Sequence, residues 1–170
     1  MFLAVSWLCS QTLAQVADTY AIGDRGPAGG IVFYVTDGGS HGLEAARADS
    51  VESKWGCTGI DISGAEGTDI GAGPPNTAAI MAGCTELGIA AKIASDYSLN
   101  GFDDWFLPSI GELNELYKQR VVVGGFANNY YWSSSEKVGN YLSWYQYFYN
   151  GYQNYANKAH PFSVRVVRAF

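Results

Sequence analysis

Residues 140–157, NYLSWYQYFYNGYQNYAN, hold six of the chain's twelve tyrosines and no charged side chain. Extended backbone sends successive side chains to opposite faces, so the stretch sorts with a period of two. Leu142, Trp144, Gln146 and Phe148 share one face; Tyr141, Ser143, Tyr145, Tyr147 and Tyr149 share the other. The Asn150-Gly151 pair supplies positive-φ residues for a tight hairpin turn. The mostly apolar even-numbered face is expected in a core, and the odd-numbered row of phenols and hydroxyls in water. Tyrosine gives broad, stiff contact area at little entropic cost, while Ser, Gly and Asn adapt their hydrogen bonds to a ligand. Tyrosine is also an ordinary strand former on half-buried sheets. Five asparagines between 128 and 154, and the lack of Lys and Glu within 140–157, weight the composition toward binding.

A chain of 170 residues suits one domain with its own core. Charged residues make up only 15%, below the usual quarter, and 21 glycines point to many turns and little helix. A formal charge of −6 leaves no basic stripe for phosphates, which excludes a nucleic-acid partner. All sixteen acids lie at or before Glu136, whereas Lys137, Lys158, Arg165 and Arg168 follow it. That asymmetry leaves room for an anionic ligand on the C-terminal quarter, with Lys158 at the rim of the hairpin surface.

Residues 2–9, FLAVSWLC, followed by small residues near Ala14, read as a secretory signal over 1–14 that is too short to span a bilayer. The positive residues that usually open such a signal are missing, and Trp7-Leu8 before Cys9 does not suit a lipid-anchor site. No other segment reads as transmembrane. The expectation is a secreted or cell-surface protein. Export leaves Cys57 and Cys84 as the mature cysteines, either joined in one disulfide or kept as two buried thiols. With only His41 and His160 besides, a zinc site is not expected.

Along the chain, Ile31–Val35 reads as a buried strand, and Leu43–Ala46, after the Asp37-Gly38-Gly39 turn, as its partner. Residues 56–75, with six glycines and two prolines, form a long loop that is functional or tied down. Asn76-Thr77 caps an Ala-rich helix to about Ala94, weakened near Gly83 and Gly88. Ser109-Ile110-Gly111-Glu112 has the spacing of a capping box and opens a helix ending near Arg120. Strands follow at Tyr130–Ser133, Tyr141–Tyr149, Tyr152–Asn157 and Phe162–Arg168. The order gives one α+β domain over 20–170.

The ordered series GGIVFYV (29–35), HGLEAA (41–46), WGC (55–57), NTAAI (76–80), NGFDDWFLPS (100–109), ELNELY (112–117), GGF (124–126), YYWSSSE (130–136) and VRVVRAF (164–170) resembles the Lcl C-terminal domain family. That domain ends the Legionella collagen-like adhesin. The resemblance implies a C-type-lectin-like α+β fold, related to formylglycine-generating-enzyme-like domains, in an exported bacterial protein that binds a protein or polysaccharide. The chain lacks a collagen repeat, so trimerisation and the adhesin's sulfated-polysaccharide ligand do not carry over. The C-terminal stretch also resembles the variable segments of lectin-fold proteins diversified by retroelements. Tyr141, Ser143, Tyr145, Tyr147, Tyr149, Tyr152, Asn154, Tyr155 and Asn157 match variable positions, and Trp144, Phe148 and Gly151 match the fixed frame. Those nine are the candidate ligand-binding residues.

Catalytic signals are weak. Formylglycine-type chemistry relies on late cysteines, and none follows Cys84; no G-x-S-x-G turn is present either. Asp103 and Asp104 are adjacent in an extended run and point to opposite faces, which suits a turn contact better than acid–base work. His41 reads as a turn contact and His160 as a loop residue. Asp61, Glu66 and Asp69 are the only calcium candidates, at a spacing that matches no calcium loop, so no cofactor is expected. Trp55, Trp105, Trp132 and Trp144 read as core. The alternatives to a binding module are a vestigial enzyme of the formylglycine-generating type, which a deep pocket with clustered carboxylates would favour, and a structural envelope accessory, which a flat apolar patch would favour.

Overall fold

The computed structural model describes residues 18–139 and 141–170; the expected signal peptide over 1–14 lies outside them. In chain order the elements are β1 (Ile31–Thr36), β2 (His41–Ala45), β3 (Ser50–Ser53), α1 (Gly73–Gly83), α2 (Ala90–Ser95), α3 (Ile110–Lys118), α4 (Arg120–Val123), β4 (Tyr130–Lys137), β5 (Leu142–Tyr147), β6 (Gln153–Asn157), β7 (Phe162–Val164) and β8 (Val167–Ala169). β1, β2 and β8 form one sheet; the other runs β3-β7-β4-β5-β6, antiparallel except where β4 meets β7. The helices separate the first three strands from the last five, an α+β arrangement.

The C-terminal run read as one strand is two, in different sheets, with Arg165 and Val166 at the crossing. Arg165 is fully buried. Its Nε donates to Asp49 Oδ1 at 2.7 Å, and its terminal nitrogens donate to the carbonyls of Ala46, Gly124 and Gly125 at 3.0, 3.2 and 2.5 Å. The strand is interrupted where this guanidinium turns inward to its acceptors. β3 was not foreseen, because SVES has neither an apolar run nor clean alternation. It forms against β7, with Ser50 opposite Val164 and Ser53 opposite Phe162.

α1 starts three residues ahead of the expected Asn76-Thr77 cap. Pro74 and Pro75 fill its first turn, where a missing N–H costs nothing. Asn76 is instead buried inside the helix, and its amide nitrogen donates to Gly67 O at 2.7 Å and Ser134 Oγ at 3.3 Å. The helix stops at Gly83 and resumes as α2, near the two expected weak points. The capping box of α3 is present: Glu112 N donates to Ser109 Oγ at 3.2 Å, and Ser109 N donates to Glu112 Oε2 at 2.8 Å. Glu112 Oε1 also accepts from Gly71 N at 2.8 Å and Gly73 N at 3.4 Å, tying the glycine-rich loop to the helix start. Burial raises the Glu112 carboxyl above its usual range even though these amides favour the ionised form.

β4 carries a wide bulge. Trp132 faces Tyr145 and Glu136 faces Ser143, so Ser133, Ser134 and Ser135 stand opposite Trp144 alone. Small hydroxyl side chains let the bulge fasten neighbouring loops. Ser135 Oγ donates to Gly67 O at 2.6 Å and accepts from Ile110 N at 3.0 Å, while Ser134 N donates to Pro108 O at 2.7 Å. The long loop is tied down rather than free.

Two apolar clusters fill the interior, one around Trp55, Trp105 and Trp132, the other around Phe33, Leu113, Tyr131 and Phe148. Cys57 and Cys84 are bonded within the first, across a separation of 27 residues. Lys158 and Glu136 form an ion pair with both side chains fully buried. Lys158 Nζ also donates to Ile60 O at 2.8 Å and lies 4.5 Å from the Trp55 ring centre.

Two outcomes follow from this interior. Lys158→Met strands the Glu136 carboxylate and should cost about 3–5 kcal/mol. Adding Glu136→Gln should recover part of that loss, measured by urea unfolding of the single and double variants. Reducing the disulfide should remove about 3–4 kcal/mol of loop-closure constraint and lower the melting temperature by roughly 10 °C, read by calorimetry with and without reductant.

Candidate functional site

The hairpin connection is broader than a two-residue turn. Only Gly151 has a positive φ, 81°, and Asn150 does not share it. Gly151 N donates to Tyr147 O at 2.7 Å and Tyr147 N to Tyr152 O at 2.8 Å, so residues 148–152 make the loop. A Cβ on Gly151 would lie 2.4 Å from the Tyr117 ring, so glycine is demanded by contact as well as conformation. Phe148 plugs the loop into the core, with ring centres of Tyr131, Phe126 and Tyr117 at 4.3, 4.8 and 5.5 Å. Gln146, the polar member of the even-numbered face, is fully buried. Its amide nitrogen donates to Asn114 Oδ1 at 3.0 Å and Gly151 O at 3.1 Å. The hairpin therefore stands on a fixed base.

On the opposite face the register aligns Tyr130 with Tyr147 and Tyr145 with Asn154. The rings form a continuous row. Tyr147 lies 5.9 Å from Tyr149 and stacks on Tyr130 at 4.5 Å; Tyr130 meets Phe162 at 5.2 Å, and Phe162 stacks on His160 at 5.8 Å. Tyr145 stands edge-on to both Tyr130 and Phe162 at 5.2 Å. Burial raises the Tyr145 phenol above its ordinary value, and the nearby Tyr130 and Tyr152 phenols add to the shift. Tyr152 lies across from Tyr147, whose N donates to Tyr152 O, and Asn154 Nδ2 donates to Tyr152 Oη at 2.9 Å. Tyr149, at the end of the row, and Tyr152 are 64% and 56% exposed.

The nine candidate residues do not form one surface. Tyr145, Tyr147, Tyr149, Tyr152 and Asn154 gather on the platform. Ser143, expected in the wet row, is fully buried, because the β4 bulge sets it against the buried Glu136. Tyr155 and Asn157 pair with Trp144 and Leu142 on the other face of the sheet. Tyr141 is 55% exposed and precedes β5. Trp144 and Leu142, expected in the core, are half-buried. Trp144 meets Tyr155 at 5.4 Å, with the Lys137 ammonium 5.8 and 5.1 Å from the two ring centres. At the sheet edge, Tyr155 N donates to Asn154 Oδ1 at 2.9 Å. Lys158 is no rim residue, being sealed inside with Glu136. Tyr130, Phe162 and His160 were not among the candidates; the strand reading of Tyr130–Ser133 left the facing of Tyr130 open, and nothing local pointed to the other two.

Other candidate chemistry disperses. Asp104 Oδ1 accepts from Arg168 Nε at 2.5 Å, so it anchors the C-terminal strand rather than a turn. Arg168 also donates to Glu44 Oε1 at 3.1 Å. Three of the four late basic residues, Lys158, Arg165 and Arg168, thus serve internal pairs, which removes most of the charge that an anionic ligand there would use. Asp61, Glu66 and Asp69 are exposed or partly so, and no three His, Cys, Asp or Glu side chains converge on a metal position among the described residues. His41 Nδ1 lies 3.2 Å from Ser40 Oγ and 3.4 Å from Asp37 Oδ2, a turn contact. A cleft of about 260 Å³ opens among Tyr34, His41, Leu43, Ile70 and Phe170 and is lined by no Asp or Glu. Among the described residues no helix is long and apolar enough to cross a membrane.

The model of the Lcl C-terminal domain matches residues 60–168, more than half of the chain. β1, β2 and β3 precede the matched segment, yet β2 pairs with β8 and β3 with β7, so the same sheets run through both. No curated protein matches the chain. The platform, the capping box and the buried C-terminal cations all fall inside the matched segment, and the chain belongs to the Lcl C-terminal domain family.

Proposed function

We propose that the chain is a secreted or surface-displayed bacterial binding module of C-type-lectin-like fold, which recognises a protein or a polysaccharide on another surface through the hairpin platform. The observation that carries this reading is the row of rings ending in the open Tyr149, with the open Tyr152 across from Tyr147, above a base held by Phe148 and Gln146. Stiff aromatic side chains on a rigid support lose little entropy on binding. Recognition is an equilibrium event, with no bond made or broken. The cleft without carboxylates gives no support to an enzyme of the formylglycine-generating type.

Diversification of this segment belongs to the same proposal. Phe148 and Gly151 are fixed by packing, whereas Tyr149, Tyr152 and Asn154 can change without disturbing the core. The buried Ser143 is the exception, and a variable position there would be limited to small residues.

Tyr145 and Tyr147 are half-buried, so their replacement would mix binding with stability. Tyr149→Ala with Tyr152→Ala separates the two. The pair should weaken capture on an array of surface proteins and glycans by at least about tenfold, as expected for aromatic anchors. It should leave the melting temperature within about 2 °C. Unchanged capture would remove the platform from function. For diversification, the neighbouring DNA should carry a reverse transcriptase and a near-copy of the codons for 130–170, differing at adenines in the Tyr and Asn codons.

A further inference from the structure

Aromatic rings and cations are systematically paired in this molecule. Arg120 lies over Tyr117, Lys137 over Trp144 and Tyr155, Lys158 over Trp55, Arg165 over Phe126 and Arg168 over Phe102, at 3.9–5.8 Å from the ring centres. Among the described residues no platform ring, from Tyr149 through Tyr130 to Phe162, has such a partner. A ring open to water presents the negative face of its quadrupole and attracts a cation. Tyr147 and Tyr130 cover one another by stacking, so the faces left open are those of Tyr149 and Tyr152, and no cation of the described residues lies over them.

The charge distribution points the same way. The chain carries −6 overall. Lys158, Arg165 and Arg168 are drawn inside against Glu136, Asp49, Glu44 and Asp104. What remains outside is still richer in acids than in bases. Glu52, which accepts a hydrogen bond from Asn129 at 2.7 Å next to Tyr130, adds a carboxylate at the margin. A sulfated or phosphorylated polymer would meet phenol oxygens here, and among the described residues no ammonium or guanidinium over these rings.

We infer that the platform's partner is a basic protein segment whose Arg or Lys side chains lie over Tyr149 and Tyr152 at the open end. The inference rests on the proposed binding role of the platform and names the chemistry it selects. Planar guanidinium suits the site better than ammonium, because it can lie flat on a phenol ring while its edge donors stay hydrated.

The test uses the full chain and two probes, an arginine-rich peptide and the same peptide with citrulline at every arginine. Citrulline keeps the shape and loses the charge. The arginine peptide should bind at least about tenfold more tightly, and added salt should narrow the gap. Tyr149→Leu, and Tyr149→Leu with Tyr152→Leu, keep apolar bulk but remove the phenols, and should erase most of the discrimination. Thermal melting of each variant reports folding separately. If both peptides bind equally and both lose affinity in the Leu variants, the platform binds but not through cations. Stronger capture of acidic peptides, or of neutral or sulfated glycans, would likewise overturn the cationic partner while keeping the platform. If the Leu variants change binding to none of these probes, both readings fall.

Discussion

Three cations within the last thirteen residues, Lys158, Arg165 and Arg168, decide how this chain closes on itself. A buried ammonium or guanidinium is tolerated only when opposite charge and hydrogen-bond acceptors surround it. Each of the three finds its acceptors far back in sequence. Lys158 reaches Glu136 and Ile60 O, Arg165 reaches Asp49 and the backbone around Gly124, and Arg168 reaches Glu44 and Asp104. Arg165 sits where the chain leaves one sheet for the other, so the geometry of both sheets depends on its acceptors being in place. The split between early acids and late bases, which in a linear reading looks like a ligand-binding asymmetry, is the imprint of these long-range pairs.

The second constraint is the plugged hairpin. With Phe148 held among three rings and Gly151 pressed against Tyr117, the loop has little freedom to relax. The exposed phenols inherit that stillness. β7 and the residues just before it add Phe162 and His160 from below, so the platform is assembled from three stretches of chain although its open end comes from one.

How much of this was legible in the sequence depends on how local the cause was. The capping box at Ser109–Glu112, the hairpin strands and the helix weakness near Gly83 and Gly88 follow from neighbours in sequence, and they were readable. The broken C-terminal strand, the three-serine bulge and β3 follow from partners distant along the chain, and were not. The period-two reading of 141–149 shows the boundary between the two. It holds for Tyr145 through Tyr149, where the ladder is regular, and fails at Ser143 and Trp144, where the bulge in β4 shifts the register. Lys158 was misplaced for a related reason: a lone lysine beside polar residues looks wet until its buried carboxylate is known.

β6 is the last strand of its sheet, and its free side would ordinarily invite pairing with another extended chain. The carboxamide of Asn154 bends back to take the Tyr155 amide proton, and so removes one of the few outward donors on that margin. A molecule whose surface is rich in tyrosine is thereby discouraged from zipping onto copies of itself. That edge thus offers an incoming strand one hydrogen bond fewer.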